Sequence, residues 1–379
     1  MSPEQALSGL RDTIVAAAAK RTALEIHGGR SKHFLGNEPR GEPLDVRGFA
    51  GIVSYEPTEL VVTARCGTPL ADLEAALAER GQMLAFEPPH FGPGATVGGT
   101  IACGLSGPAR VSAGAARDYV LGASLLDARG ELMHFGGQVM KNVAGYDVSR
   151  LLCGSYGVLG VLAEVSLKVL PVPAMRASLR IEIGVDEAMS ALHHWGCEPL
   201  PISASCWIDG LLVLRMAGSE AGVEAAASRF INRYRARPLD PQGEDAFWHD
   251  LREHRLPFFV GDAAQHESTP AAAAPADAGQ GDETLWRIVV PSVAPQLQLP
   301  GRQLIEWGGG LRWYVGDASA AEVRAAAAAL GGTANRFRGG VRQDSFHPLA
   351  PAMLSLQRRV RSQLDPLGIF NPGRMYAAL

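Results

Sequence analysis

Gly94-Ala-Thr-Val-Gly98-Gly99-Thr, Lys141-Asn-Val-Ala-Gly145-Tyr-Asp and Gly154-Ser-Tyr-Gly157-Val-Leu-Gly160 are three glycine clusters inside one strand-rich stretch. Glycine costs backbone entropy in regular elements, so clusters of it mark turns or places where something approaches the main chain closely. Any one cluster fits a turn. Their joint order, interrupted by Val97, Ile101 and Leu105, favours main chain cleared for a large flat ligand over a glycine-rich linker.

Outward from that stretch the pattern is mixed. Residues 4–21 carry an alanine-rich face behind Ser2-Pro3, the order of a capped helix start. Residues 23–26, 51–55 and 60–66 are short apolar runs that predict strands. Leu70, Leu73 and Leu77 share one face of a helix over 70–80, with Gly81 as its stop. Strands are expected near 120–127 and 132–135, and a long alternating one over 158–169 ends at Pro171-Val-Pro173. That proline pair sets the first boundary and gives a domain over 1–173. Residues 174–330 mix short strands with helices, as a smaller α+β unit would. Within them 262–282, rich in Ala, Pro and Gly, reads as a mobile loop. Residues 331–379 form a punctuated C-terminal segment with a helix over 352–364.

Composition sets the bounds. The chain has 379 residues, enough for two domains and a sizeable core, and its 47% hydrophobic and 20% charged content fits a soluble globular protein. A net charge of −4 gives no reason to expect nucleic acid as a partner. No apolar run reaches the ~20 residues of a transmembrane helix. The polar N-terminus lacks a signal-peptide core, so the expected location is the cytoplasm, with any attachment to the inner membrane made through partner subunits. Cys66, Cys103, Cys153, Cys197 and Cys206 are odd in number and contain no C-x-x-C pair. That speaks against a disulfide framework and against a Cys-held zinc or iron–sulfur site.

Ile26-His-Gly-Gly-Arg-Ser-Lys32 joins a strand to a loop, where consecutive N–H groups can form an anion-binding concavity and Arg30 and Lys32 add charge. A tight surface turn with basic residues fits the segment equally. Neither G-x-G-x-x-G after a strand nor G-x-x-x-x-G-K-[ST] occurs, so a Rossmann or P-loop fold is not expected. Backbone around Val97-Gly-Gly-Thr, with the Thr96 and Ser106 hydroxyls, suits an isoalloxazine or a diphosphate. Arg336-Phe-Arg338-Gly-Gly-Val-Arg342 can clamp a small carboxylate, or be a solvated basic loop or a subunit contact. No metal site is expected: His193 and His194 point to different faces of a helix, and His249 and His254 are five apart.

Taken together these motifs resemble the vanillyl-alcohol-oxidase (PCMH-type) family of FAD-binding proteins, and within it the FAD-binding subunits of bacterial glycolate oxidase complexes. The carriers are His27-Gly-Gly-Arg-Ser-Lys32, Ala95-Thr-Val-Gly-Gly99, Arg117-Asp-Tyr-Val-Leu-Gly122, Lys141-Asn-Val-Ala-Gly-Tyr-Asp147, residues 154–160 and Ile369-Phe-Asn-Pro-Gly-Arg-Met375. The middle domain matches only loosely. The resemblance implies an α+β chain: a PCMH-type FAD-binding domain of two α+β subdomains, a cap-like α+β domain, and a tail returning to the flavin. It implies that Gly28, Gly29, Arg30, Ser31 and Lys32 cradle the pyrophosphate and that Thr96, Gly98, Gly99 and Ser106 line the flavin and its diphosphate. Gly157, Gly160 and Val161 would add backbone contacts, and Asn371 would reach the flavin edge. Some relatives attach the flavin through a His just after the paired glycines. Arg30 stands there, so non-covalent FAD is expected.

The same resemblance implies oxidation of glycolate or another 2-hydroxy acid in a heteromer with a catalytic flavoprotein subunit and an iron–sulfur subunit. With a substrate pocket of its own, the chain would hold the carboxylate through Arg336, Arg338 or Arg342, with His347 as base. The family's catalytic 2-hydroxyacid dehydrogenases carry a metal-binding H-x-G-D-G-N-x-H segment that this sequence lacks. Two other roles therefore stay open: a non-catalytic assembly or electron-relay subunit, and a stand-alone PCMH-type oxidoreductase.

Overall fold

The computed structural model describes residues 2–137, 146–261 and 283–379. The motif residues 141–145 and the loop expected over 262–282 lie outside the described residues. The chain is α+β throughout, as expected.

The first domain has two layers of core. Ser2 caps the helix Pro3–Lys20 reciprocally with Gln5, and the helix buries Ala6, Leu10, Ile14 and Ala17. That stripe packs with Leu24 and Leu44 of a parallel strand pair, Leu24–His27 and Glu42–Asp45, and with Ile369 and Phe370 of the tail. Beside it lies an antiparallel sheet in the order Ile52–Glu56, Val61–Arg65, Val161–Lys168, Val120–Leu126, Leu132–Gly136. Val120–Leu126 is buried at every position because a core lies on both of its faces. One of those cores receives Leu70, Leu73 and Leu77 from the helix Leu70–Ala78, on the face their spacing predicts.

One local element differs from the sequence reading. The first glycine cluster is not loop alone: Val97–Cys103 is helical, with the Thr96 hydroxyl accepting the Gly99 N–H at 3.2 Å and Gly104 ending it at φ 62°. Paired glycines disfavour helix, which hides the element. Packing explains the first of the pair, since a Cβ on Gly98 would sit 2.6 Å from the Cys66 Cβ.

The second domain is a cap built on an antiparallel sheet with eight strands among the described residues. Their order is Arg237–Pro238, Met175–Glu182, Leu211–Gly218, Ile202–Ile208, Arg302–Glu306, Leu311–Val315, Leu285–Val289, Thr333–Arg338. From either edge inward, each half presents its fourth, first, third and second strand in chain order. A helix lies between the third and fourth strands of each half, Glu220–Tyr234 and Ala320–Ala329. The sheet thus takes its final strand from beyond residue 330, because Thr333–Arg338 pairs with Leu285–Val289. Helices cover the far face, and the near face packs on the first domain. Polar links fasten the two, among them Arg215 to Glu87 at 2.8 Å, the Glu253 carboxylate accepting the His90 and Phe91 N–H groups, and the Trp307 indole donating to the Gly107 carbonyl at 3.0 Å.

Candidate functional site

The strand Leu24–His27 turns at Gly28 and Gly29, and the segment 94–96 runs against that turn so closely that side chains are excluded. A Cβ on Gly29 would lie 1.7 Å from the Gly94 carbonyl oxygen, and one on Gly28 would lie 2.4 Å from Thr96 Oγ1. Among the described residues, none of the N–H groups of Gly28, Gly29, Arg30, Ser31 and Lys32 donates a hydrogen bond to protein. Successive open amides beside glycines make an anion-binding concavity. Charge is arranged around it. Arg30 Nη1 lies 3.2 Å from Glu25 Oε1. Lys32 is buried and donates to the His90 carbonyl at 3.3 Å, and burial pushes its pKa down.

The tail closes the cleft. Asn371 Oδ1 accepts the Ile26 N–H and Asn371 Nδ2 donates to the Tyr156 carbonyl, both at 2.7 Å. Gly157, at φ 73°, has no room for a side chain: a Cβ there would meet Asn371 Nδ2 at 2.7 Å. Arg374 is buried and donates to the carbonyls of His33, at 2.8 Å, and Asn37. Loops near residues 28, 96, 156 and 371 thereby converge on one cavity.

Gly28, Gly29, Arg30, Ser31, Lys32, Thr96, Gly99 and Asn371 line this cavity. Five other residues of the expected cofactor set stand behind its walls or elsewhere. Gly98 faces Cys66, and Gly157 lies under Asn371. Gly160 abuts the Leu126 carbonyl, where a Cβ would fall 2.7 Å away, and Val161 is fully buried in the core. Ser106 accepts the Ala116 N–H at 3.0 Å and lines a different chamber. Glu25, His33, Cys103, Tyr156 and Arg374 also line the cavity and were not singled out from the sequence. Tyr156 and Arg374 stand inside quoted motifs, where the glycines drew attention away from them. His33 is held below its usual pKa by burial and by the Arg374 and Arg342 charges beside it.

The arginines expected to clamp a carboxylate line an adjoining open cleft of about 1190 Å³ that shares Arg30 and His33 with the first. Two are committed to protein. Arg336 donates to the Val341 and Gln343 carbonyls, while Arg342 donates to the His33 carbonyl at 2.6 Å and pairs with Glu38. Arg338 lies 4.8 Å from the Phe34 ring centroid. His347 lines neither cleft: its Nδ1 accepts the Ala334 N–H at 3.3 Å, and its own N–H donates to Asn335 Oδ1. Its ring steadies the last strand of the cap sheet.

The donor set fits FAD, a long dinucleotide with an anionic middle: open amides and cations at one point, bare backbone along the rest. Comparison with known proteins adds to this geometry. The FAD binding domain family matches residues 7–136. Glycolate oxidase subunit GlcE of Escherichia coli K12 is 47% identical over 373 residues, covering 98% of this chain and 97% of that protein. Glycolate oxidase subunit GlcD of Bacillus subtilis 168 is 32% identical over 128 residues, 34% of this chain and 27% of that protein. In fold, the chain resembles an alkyldihydroxyacetonephosphate synthase with a TM-score of 0.64 at 15% identity, over 96% of this chain and 75% of that one.

Proposed function

We infer the function from one premise: the chain belongs to the GlcE family of glycolate oxidase subunits. It is an FAD-binding subunit of a 2-hydroxy-acid dehydrogenase and takes part in the oxidation of glycolate to glyoxylate. The observation that carries this reading is the run of open amides over 28–32 in a glycine-walled cleft, inside the segment matching FAD binding domains.

FAD when bound supplies the two-electron acceptor that protein side chains cannot. The chain's own residues bind and orient. The amides of 28–32, with Arg30 and Lys32, hold the diphosphate. Gly28, Gly29 and Gly99 leave the wall flat, and Thr96 offers its hydroxyl. Asn371 fixes the Ile26 and Tyr156 edges against each other, so the cleft keeps its width before anything enters it. Arg30, at the position where some relatives carry a linking His, offers no nucleophile, and on that ground we take the cofactor to be held by contacts. Arg374 holds the 33–37 turn over the same cleft.

Electrons taken from substrate leave through other chains. This chain's five cysteines include no C-x-x-C pair to hold a cluster, so the relay belongs to an iron–sulfur subunit. A second flavoprotein, of the GlcD kind, completes the complex. No helix among the described residues is long and apolar enough to cross a membrane, and we place the complex in the cytoplasm, on the inner membrane through its partners.

The experiment is a visible spectrum of the purified chain, with flavin released by acid. A stoichiometric FAD peak in the supernatant supports the reading, and a colourless protein overturns it. Bleaching by glycolate, with and without the co-purified partners, then separates oxidation on this chain from oxidation on its flavoprotein partner.

A further inference from the structure

The near face of the cap sheet is mostly apolar. Alternation along Leu285–Val289 turns Leu285, Arg287 and Val289 toward the first domain and Trp286 and Ile288 away. The same alternation sets Glu306 beside Leu304 and puts Trp313 between Leu311 and Val315. With Ser106 and Gly107 opposite, and His254 at the side, these residues line a small chamber between the domains.

Its polar groups are under-partnered. Arg287 donates no hydrogen bond and forms no ion pair among the described residues; its guanidinium lies 5.2 Å from the Trp307 ring centroid. His254, 6% exposed, has an Nδ1 with no partner. The buried Glu306 side chain accepts one hydrogen bond, from the Trp313 indole at 2.7 Å. Burial pushes Arg287 down only to about 10, so it stays cationic near neutral pH. Arg287 is half-buried, and the Glu306 charge acts on it across the same sheet face. Arg215, on the same sheet face, has Glu87 at 2.8 Å. What Arg287 lacks, among the described residues, is an anion in hydrogen-bond contact.

We propose that this chamber is a small-carboxylate site, with Arg287 as the anchor for a short 2-hydroxy or 2-oxo acid and Glu306 and His254 beside its C2 oxygen. The aromatic walls from Phe91, Trp313 and Phe337 leave room for a short chain only. The chamber adjoins the cofactor cleft. Leu105 and Ser106 follow the cleft residue Cys103 by two and three positions, and the Arg287 charge is felt at Tyr156, which lines that cleft. The inference rests on the 2-hydroxy-acid reading and moves the carboxylate contact from Arg336 and Arg342, which are held by backbone carbonyls, and from Arg338, which faces the open cleft, to Arg287, which no hydrogen bond holds among the described residues.

Isothermal titration of the purified, flavin-loaded chain with oxalate tests it, with acid-released flavin measured in parallel. Arg287→Met is expected to weaken oxalate binding at least tenfold and Arg287→Lys by less, both at the wild-type flavin ratio. Oxalate heats that are absent in wild type, or equal in wild type and Arg287→Met, overturn the site. Should Arg287→Met fail to fold, Arg287→Lys decides: weakened binding at full flavin content supports the anchor, and unchanged binding removes it. A chain that binds oxalate through Arg287 yet holds no flavin keeps the carboxylate site and overturns the flavoprotein reading. A flavin-loaded chain indifferent to Arg287 does the reverse.

Discussion

Asn371 and Ile26 lie 345 positions apart and are joined by a 2.7 Å hydrogen bond from the Ile26 N–H to Asn371 Oδ1. The other end of the same amide holds the Tyr156 carbonyl. One side chain from the tail therefore ties together the two glycine turns that wall the cleft.

Replacing Asn371 with alanine leaves that N–H and that carbonyl unpaired and places alanine at φ 39°, a left-handed conformation asparagine tolerates better. The expected cost is about 3 kcal/mol, the sum of two stranded polar groups and some backbone strain. Asn371→Asp keeps the acceptor and loses the donor, so it should fall between. Urea midpoints and flavin retention on gel filtration check this. An alanine variant with unchanged midpoint and full flavin would show that the tail does not set the cleft.

Gly29→Ala should yield a folded chain without flavin. The added methyl meets the Gly94 carbonyl, which is backbone and cannot rotate aside, so the 28–32 turn must move off its wall. Fluorescence of acid-released flavin reads the loss, and a yellow, stoichiometric variant would count against the cradle.

Much of this was written in the sequence, and for a physical reason. Positions where a neighbouring segment leaves no room for a Cβ favour glycine, so the convergence of the 28–29, 94–98 and 157 loops left its mark residue by residue. Amphipathic spacing likewise showed the helix Leu70–Ala78. The helix Val97–Cys103 stayed hidden because the glycines that packing demands are poor helix formers. Arg287 and Glu306 were illegible for another cause. Each is a single residue in a short alternating strand, and nothing local tells a solvent-facing charge from one turned inward. Only the pairing of the sheet shows which face meets the first domain.

Arg215→Met should destabilise the chain by about 3 kcal/mol, because it leaves the Glu87 carboxylate largely buried without its partner at the domain junction. Adding Glu87→Gln should recover much of that, since the amide carries no charge to strand. A double-mutant cycle from chemical denaturation measures the coupling. Additive effects would mean the ion pair does not join the domains.

Glu306 gives a pH dependence of known sign. Burial raises its carboxyl from 4.5 to about 7 in the folded chain. Between those values the folded state keeps a proton that the unfolded chain has released, so stability is fully present below pH 4.5, falls as pH rises toward 7, and then levels off. Glu306→Gln removes that slope. Relative to wild type the variant should gain about 3 kcal/mol between acidic and neutral pH. His254, whose pKa burial pushes down, acts oppositely by losing stability as pH falls below 6.5. It cancels in the difference between variant and wild type. Parallel denaturation curves at the two pH values would remove Glu306 from the acid-stable core.

The repeated strand order of the cap reads as an internal duplication, and duplication permits division of labour. One copy spends its inward arginine on adhesion, clasped by Glu87; the other keeps Arg287 disengaged. Tolerance to change should therefore be lopsided across a symmetric sheet. Loss of the first copy's arginine loosens the junction between domains, whereas loss of the second copy's leaves the architecture standing and alters only what the chamber will accept.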